Sequence, residues 1–272
     1  MRIALAQLDC LLGDVDENAR RAREAVAEAR SGGADLVVFP ELQLSGYALA
    51  GVEHDTSCTA SEAAALADGV AALVGFHERD GDRRYNSAAY VEDGVPLHVH
   101  RKLYPTDYAP FDEDALFAPG DAMRAFDTAL GRAAVLICND AWQPFLPSIA
   151  AHDGAELLLV PANSPTAVPE AEEYWRGLTR FYARMLECYV VFVNRVGTEA
   201  GFAFWGGSHV VDPMGEVVAE APRFEEALVL ADVDLGRVAA RRSELPLVGT
   251  LRLELLRAEL ERLSLAATPR RS

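Results

Sequence analysis

Cysteines are few in this sequence, and no metal-binding spacing is present. The four cysteines lie far apart and form no C-x-x-C pair: Cys10, Cys58, Cys138 and Cys188. Neither a disulfide framework nor a structural zinc site is therefore predicted. The six histidines also lack the H-E-x-x-H spacing of a catalytic zinc site, so we expect no metal and no other cofactor.

Basic residues are scarce as well. The chain carries 25 Lys and Arg against 42 Asp and Glu, which gives a formal net charge of -17. A chain this acidic repels nucleic-acid phosphates and anionic lipid headgroups, so we expect no nucleic-acid partner and no membrane partner. No apolar run reaches the roughly 18 residues that span a bilayer, and the first residues become polar too soon for a signal peptide. These features predict a cytoplasmic protein.

The sequence does contain a regular alternation of strand-like and helix-like segments. Short apolar runs at residues 36–39 and 133–137 alternate with amphipathic stretches such as residues 16–30. This order predicts an α/β layered sandwich. Because no repeat or low-complexity linker interrupts it, we expect a single domain over residues 1–265 and a flexible tail over residues 266–272.

The last predicted helix, over residues 250–263, carries a stripe of leucines. The stripe is formed by Leu251, Leu255, Leu256, Leu260 and Leu263. Leucines at this spacing share one helix face, which we expect to pack either on the same subunit or on a partner.

Three chemically distinct residues follow predicted strands at the point where each strand ends. Glu41 comes just after the strand at residues 36–39, Lys102 follows a strand ending at residue 101, and Cys138 follows the strand at residues 133–137. In α/β folds, ligands gather at the carboxyl ends of strands. A thiol there can attack an acyl carbon, a carboxylate can carry the proton, and an ammonium can stabilise the oxyanion.

The segments that carry these three residues resemble the motifs of a known family. VFPEL at residues 38–42, HRKLY at residues 100–104 and LICNDAW at residues 136–142 are similar to the glutamate, lysine and cysteine motifs of the nitrilase superfamily, the carbon–nitrogen hydrolases. A lone cysteine after a strand is usually a buried structural residue, so the joint pattern carries the resemblance. Further matches cover nearly the whole chain, at residues 45–47, 111–113, 117–120, 154–156, 194–197, 206–208 and 212–215.

The resemblance implies a fold, an assembly and an activity. The fold is a four-layer αββα sandwich of the nitrilase type, and the assembly is a homodimer or a higher homo-oligomer. The activity is hydrolysis of an amide or carbamoyl amide to acid plus ammonia, through a cysteine thioester. The nucleophile, the proton carrier and the lysine fall on Cys138, Glu41 and Lys102. The family's second glutamate falls on Glu113, which would otherwise be interpreted as a surface carboxylate, and the backbone N–H of Asn139 is expected to complete the oxyanion site.

The residues after the nucleophile indicate a branch of the family. Asp140 and Trp142 give a C-x-D-x-W pattern that resembles N-carbamoylputrescine amidases and the glutaminase domains of NAD synthetases. Hydrolases of N-carbamoyl-D-amino acids carry two arginines where this chain has Ala141 and Trp142, and bidentate recognition of a carboxylate needs a guanidinium. The chain also lacks a P-loop and ends soon after the predicted sandwich, so we expect a stand-alone amidase for linear amides.

Other functions fit the same predicted fold. They are a nitrilase, an acyltransferase in which an amine intercepts the thioester, and a non-catalytic binding protein. Intact Glu41, Lys102, Glu113 and Cys138 count against a binding protein. A redox-sensing thiol protein is disfavoured because no resolving cysteine is evident.

Several side chains near the motifs are candidates to line a pocket for a small-molecule amide. The aromatic candidates are Tyr47, Tyr108, Trp142, Phe204 and Trp205, and core packing explains each of them about as well. Asn163 follows another predicted strand and is a candidate either to hydrogen-bond the substrate or to form a turn. The acidic loop after Lys102 favours a neutral or cationic substrate.

Overall fold

The computed structural model describes residues 1–108 and 111–266. Apart from residue 266, the predicted flexible tail over residues 266–272 therefore lies outside the described residues.

The amino-terminal half of the chain supplies most of the first sheet. Its strands are β1 (Arg2–Gln7), β2 (Leu36–Val38), β3 (Ala71–Asp80), β4 (Arg83–Glu92) and β5 (Val95–Arg101), completed by a late strand at Ala227–Asp232. The late strand pairs antiparallel with β1 at one edge. Strands β1, β2 and β3 run parallel, and β4 and β5 continue the sheet in antiparallel pairs. Strands β2, β3 and β5 therefore end at the same edge of the sheet.

The carboxy-terminal half supplies the second sheet. Its strands are β6 (Ala125–Thr128), β7 (Gly131–Val135), β8 (Leu157–Ala162), β9 (Tyr189–Asn194), β12 (His209–Val211) and β13 (Val217–Glu220). Between β9 and β12 the chain forms a separate hairpin of β10 (Val196–Glu199) and β11 (Phe202–Trp205). The late strand of the first sheet is β14. Within the described residues, the second sheet has the order β13-β12-β9-β8-β7-β6, and β10 pairs only with β11. Strands β7, β8 and β9 run parallel.

Of the helices within the described residues, the first two cover the outer face of the first sheet and the next two cover that of the second, whereas the last two follow β14. The helices are α1 (Val15–Ser31), α2 (Ala60–Ala64), α3 (Phe145–His152), α4 (Ala171–Leu186), α5 (Gly236–Glu244) and α6 (Leu253–Ala266). Helix α1 is capped by Asp14, whose side chain accepts the N–H of Glu17 and so satisfies one free donor of the first turn. All helices within the described ranges are too short or too polar to cross a membrane.

The alternation of side chains along each strand creates three apolar layers. Along β1, Ala4 and Ala6 face the core beneath α1 and α2, whereas Ile3 and Leu5 face the core between the two sheets. The small alanines let helices approach the sheet closely, and the larger side chains fill the space between the sheets. A third core lies between the second sheet and helices α3 and α4. The layer order is helix, sheet, sheet, helix, and the predicted αββα sandwich is confirmed.

The sequence pattern missed some elements and extended others. It did not predict β6, the β10–β11 hairpin or α5. The sequence also predicts a short helix over residues 61–69, whereas the helix in the structure ends at Ala64. The leucine stripe of α6 does not pack on the rest of the chain: Leu251, Leu255, Leu260 and Leu263 are all exposed. A short helix with few apolar neighbours on its own chain cannot bury that stripe, so the first of the two predicted packings is wrong.

Candidate active site

Four strand ends, two from each sheet, bring polar side chains to one place. Glu41 and Lys102 follow β2 and β5 of the first sheet, and Cys138 and Asn163 follow β7 and β8 of the second. The side chains of Glu41 and Lys102 are 0% and 1% exposed, whereas Cys138 is partly exposed. The structure thus brings together the three residues that the strand-end pattern selected.

A buried ion pair and its hydrogen bonds fix the carboxylate of Glu41. Its Oε1 accepts hydrogen bonds from Lys102 Nζ at 2.7 Å and from Asn86 Nδ2 at 2.8 Å. Its Oε2 accepts the backbone N–H of Asn163 at 2.8 Å, and Asn163 lines the same pocket as Cys138. The carboxylate is therefore held in one orientation beside the thiol.

Glu113 is a buried member of the site. It begins a short 3-10 turn, Glu113–Ala115, within the long loop after Lys102, and it is only 4% exposed. Lys102 Nζ donates to it at 2.8 Å, Tyr47 Oη at 2.5 Å and the backbone N–H of Thr106 at 3.2 Å. The interpretation of this residue as a surface carboxylate is thus wrong, because its side chain is turned inward, where these three donors satisfy the buried carboxylate.

Burial and the neighbouring charges set the protonation states of these groups. Burial raises the pKa of Glu41 above the ordinary 4.5, although the charge of Lys102 opposes the rise. Burial alone would lower the pKa of Lys102, but the carboxylates of Glu113 and Glu41 outweigh it and keep that pKa well above 10.5. Burial, and next the charge of Glu41, raise the pKa of Cys138 well above 9.0. A raised pKa favours the thiol form of Cys138, which would have to lose its proton to act as a nucleophile.

The nucleophile occupies a strained turn. Cys138 has a φ of 45°, in the left-handed region, and begins the 3-10 turn Cys138–Trp142. Such a conformation costs a non-glycine residue on the order of 1–3 kcal/mol and clusters at functional sites. The turn leaves the backbone N–H of Asn139 without a hydrogen-bond partner among the described residues. This N–H is free to bind an oxyanion next to the sulfur.

Asp140 lies beneath the nucleophile turn, away from the substrate side. It is fully buried, and its Oδ1 accepts the backbone N–H groups of Leu103 and Tyr104, both at 2.9 Å. Its Oδ2 accepts the backbone N–H of Ile137 at 3.1 Å and contacts His100 Nε2 at 3.0 Å. Asp140 therefore ties the Cys138 turn to the segment that follows Lys102.

A second buried ion pair supports Tyr47 from behind. Arg195 Nη1 donates to Glu199 Oε2 at 2.7 Å, and Arg195 Nη2 donates to Asp9 Oδ1 at 2.8 Å. The other oxygen of Glu199 accepts the backbone N–H groups of Tyr47 and Ala48, at 2.8 and 2.6 Å. Tyr47 in turn contacts Glu113, so the ion pair is linked by hydrogen bonds to the catalytic groups.

Gly75 on β3 allows the Glu41 loop to lie directly against the sheet. A Cβ at this position would stand 2.3 Å from the carbonyl oxygen of Pro40 and 2.7 Å from the backbone nitrogen of Leu42. Both contacts are with backbone, which cannot move aside cheaply. The absence of a side chain at Gly75 thus contributes to the position of Glu41.

A pocket of about 360 Å³, including its open mouth, leads to Cys138. Of the predicted substrate-binding residues, Tyr47, Tyr108, Trp142 and Asn163 line it, as does Asn139. The pocket is also lined by four residues that were not predicted from the sequence: Thr106, Phe111, Ser164 and Trp175. The one available signal was position in the sequence, because Thr106 lies close to Lys102 and Ser164 directly follows Asn163. No group of three or more metal-ligating side chains occurs among residues 1–108 and 111–266.

Two of the predicted pocket residues lie elsewhere. Trp205 is 2% exposed, stacks on Phe192 and donates its indole N–H to Ser164 Oγ at 3.3 Å. Phe204 is 1% exposed and packs against the ring of Tyr47. Both predictions are wrong because these rings complete apolar cores behind the pocket wall.

Comparison with known proteins relates the whole arrangement to described enzymes. The chain is 32% identical to the omega-amidase NIT2 of Bos taurus over 275 residues, which cover 96% of this chain and 98% of that protein. It is 34% identical to the glutamine-dependent NAD(+) synthetase of Thermotoga maritima over 247 residues, 86% of this chain and 42% of the synthetase. The chain thus spans less than half the length of the synthetases that it matches.

Solved structures and a family model complete the comparison. The NitN amidase of Nesterenkonia sp. AN1 superposes with a TM-score of 0.80 at 27% identity, over 95% of this chain and 99% of that one. The carbon-nitrogen hydrolase of Helicobacter pylori G27 has the same fold, with a TM-score of 0.84 at 24% identity over 96% and 98% of the two chains. The carbon-nitrogen hydrolase family model matches residues 2–243. The chain therefore belongs to the carbon–nitrogen hydrolase family of the nitrilase superfamily.

Proposed function

We propose that this protein is a cysteine-dependent amidase, acting as one catalytic domain over residues 1–265. It converts a small linear amide or carbamoyl amide to acid plus ammonia through a thioester on Cys138. Its similarity to an omega-amidase and to the NitN amidase supports amide chemistry. The observation that carries the proposal is that one Glu41 carboxylate binds both Lys102 and the backbone N–H of Asn163, a residue that lines the same pocket as Cys138.

The first half of the reaction forms the thioester. Cys138 Sγ attacks the amide carbon while Glu41, whose raised pKa suits it to hold a proton, accepts the thiol proton. The negative charge that develops on the carbonyl oxygen is stabilised by the third N–H of the Lys102 ammonium and by the backbone N–H of Asn139. Glu41 then delivers its proton to the nitrogen, the carbon–nitrogen bond breaks, and ammonia leaves.

The second half of the reaction releases the acid. Water enters the place of ammonia, and Glu41 removes a proton from it as it attacks the thioester carbon. The same two donors stabilise the second oxyanion. When the carbon–sulfur bond breaks, Glu41 returns the proton to the sulfur and the free thiol is restored. Glu113 keeps Lys102 protonated throughout, since it supplies a buried negative charge at 2.8 Å.

The test is ammonia release from a panel of glutamine, aliphatic amides, ω-amino amides, carbamoyl amines and matching nitriles. We expect release from amides by the native protein and none by Cys138→Ala. Cys58→Ala is the matched control, because Cys58 is also a partly exposed free thiol but lies outside the pocket. Hydroxylamine in the assay should divert the thioester to a hydroxamate, whose yield reports the covalent intermediate.

Two results would contradict the proposal. Ammonia release that survives Cys138→Ala would exclude the thioester route. Release from nitriles alone, with no amide cleaved, would assign the protein to the nitrilase alternative instead.

We also propose that the protein forms a homodimer or a higher homo-oligomer. Exposed apolar side chains on α3 and α4 support this: Phe145, Ile149, Tyr174, Phe181 and Met185. A contiguous apolar patch of this kind is typical of a protein–protein interface. Sedimentation of the native protein and of Phe181→Glu tests it, and a native protein that sediments as a monomer would refute it.

A further inference from the structure

Among the described residues, the side chain of Asn163 has no hydrogen-bond partner, although it is buried in the wall of the pocket that leads to Cys138. The residue is 2% exposed and lines the pocket, and neither its Oδ1 nor its Nδ2 contacts another polar atom. A buried amide without partners is rare in folded proteins and costs free energy. Its backbone N–H, by contrast, already serves Glu41. The side chain is therefore available to a ligand that enters the pocket.

The charged side chains at the base of the pocket are already paired with one another. Lys102 lies between the carboxylates of Glu41 and Glu113, at 2.7 and 2.8 Å. The two carboxylates share one ammonium, so the cluster keeps an excess of negative charge. No Lys or Arg is among the described residues that line the pocket. A carboxylate group on a substrate would lose water here, meet like charge and gain no counter-ion, which is strongly unfavourable.

The walls of the pocket are largely aromatic. Tyr47, Phe111, Trp142 and Trp175 line it, and Phe111 and Tyr108 close it on the side of the long loop. Walls of this kind favour an apolar chain on the substrate, and the buried side-chain amide of Asn163 can hydrogen-bond one polar group of that substrate. The polar side chains that line the pocket are all uncharged; they are those of Thr106, Tyr108, Asn139, Asn163 and Ser164. Among them, the amide of Asn163 is both buried and without a partner within the described residues.

Resting on the proposed amidase activity, we propose that the site selects uncharged amides that carry a second uncharged polar group, such as a carboxamide, ureido or hydroxyl group. Asn163 recognises that second group through its side-chain amide. It is a specificity-determining residue, distinct from the groups that carry the chemistry. An anionic group at the same position is rejected.

Four amides of similar length test this inference. They are glutaramide, with an uncharged polar end; hexanamide, with an apolar end; glutaramate, with an anionic end; and aminopentanamide, with a cationic end. We expect glutaramide to have the highest kcat/KM, corrected for its two equivalent amides. It should exceed hexanamide by about tenfold, the worth of a net hydrogen bond, and glutaramate by about a hundredfold or more.

Two variants of Asn163 and one control assign the preference to that side chain. Asn163→Ala should reduce the glutaramide-to-hexanamide ratio of kcat/KM to about one. Asn163→Asp should instead raise the relative kcat/KM of aminopentanamide, because it adds a carboxylate that a cation can pair with. Gln43→Leu is the matched control: Gln43 is also a buried amide without partners, but it does not line the pocket, so its ratios should equal those of the native protein.

The outcomes separate this inference from the proposed function. Equal use of hexanamide, or efficient use of glutaramate, by the native protein would overturn the inference while leaving the amidase intact. An unchanged ratio in both Asn163 variants would also overturn it. Failure of folded protein to cleave any of the four amides or any member of the wider panel would overturn the proposed function, and the inference with it.

Discussion

Replacing Glu199 with glutamine should disturb catalysis from behind the active site. The carboxylate accepts Arg195 through one oxygen and the backbone N–H groups of Tyr47 and Ala48 through the other. A glutamine keeps only one of these acceptors, and its NH2 group must then face another donor. The substitution therefore removes either the ion pair or the support of the Tyr47 backbone.

The magnitude follows from the burial of the pair. The side chains of Arg195 and Glu199 are 0% and 3% exposed, and breaking a buried pair by removing one partner costs about 3 to 5 kcal/mol. Arg195 retains Asp9 and the carbonyl of Cys10, so we expect a loss of about 3 kcal/mol, or a fall in Tm of about 6 to 12 °C. Looser support of Tyr47 moves Glu113 and Lys102, and we expect kcat to fall about ten- to a hundredfold.

The assay compares Glu199→Gln with Asp9→Asn below the melting temperature of both proteins. Asp9 binds the same guanidinium at 2.8 Å, but it is 32% exposed and makes no hydrogen bond to Tyr47. We expect Asp9→Asn to cost only about 1 kcal/mol and to leave kcat unchanged. A loss of kcat in Asp9→Asn as large as in Glu199→Gln, or a change in KM alone in Glu199→Gln, would refute the link through Tyr47.

The catalytic groups give three more expected results. Glu41→Gln should lower kcat by about 10²–10⁴-fold, because the proton carrier is lost. It should also lower the pKa of Cys138, because the charge of Glu41 raises that pKa; a titration of thiolate absorbance against Cys138→Ala that shows no fall would contradict this. The pH profile of kcat/KM should lose rate on the acid side at a pKa above the ordinary 4.5 of glutamate, since protonated Glu41 cannot accept the thiol proton; an acid limb at or below 4.5 would exclude Glu41 as the base. Cys138→Gly should be more stable to denaturant than Cys138→Ala by about 1 kcal/mol, because glycine tolerates the left-handed backbone of this turn; equal stabilities would argue against strain there.

The layered fold could be predicted because its strands are encoded by local patterns. Apolar runs bounded by turns mark β2, β7 and β8, which are buried on both faces. Helix α5 was missed because Val238 is its only buried residue among those described, so it carries no apolar stripe. The β10–β11 hairpin was missed because each strand has only four residues, too few to show a period.

The site was predictable only where it follows strand ends. Glu41, Lys102 and Cys138 each occupy such a position, and the family resemblance added Glu113. Glu199 and Arg195 gave no such signal, because Glu199 meets Tyr47 across 152 residues of chain. The sequence also did not indicate which of Trp175 and Trp205 lines the pocket. Both donate to Ser164 Oγ, and only the packing of α4 and β11 decides which ring faces the pocket.

The site is divided between the two sheets, so the packing of the sheets fixes the distances between its groups. The base and the lysine stand on the first sheet, while the thiol and the Asn163 N–H stand on the second, so the distance between reacting atoms is set by the spacing of the sheets. That spacing is maintained by side chains far below the pocket, such as Ile3, Leu5, Val135 and Leu159. The turnover rate of the proposed amidase should therefore depend on how the two sheets pack. Large-to-small substitutions in this interior layer should lower kcat without changing any group that reacts.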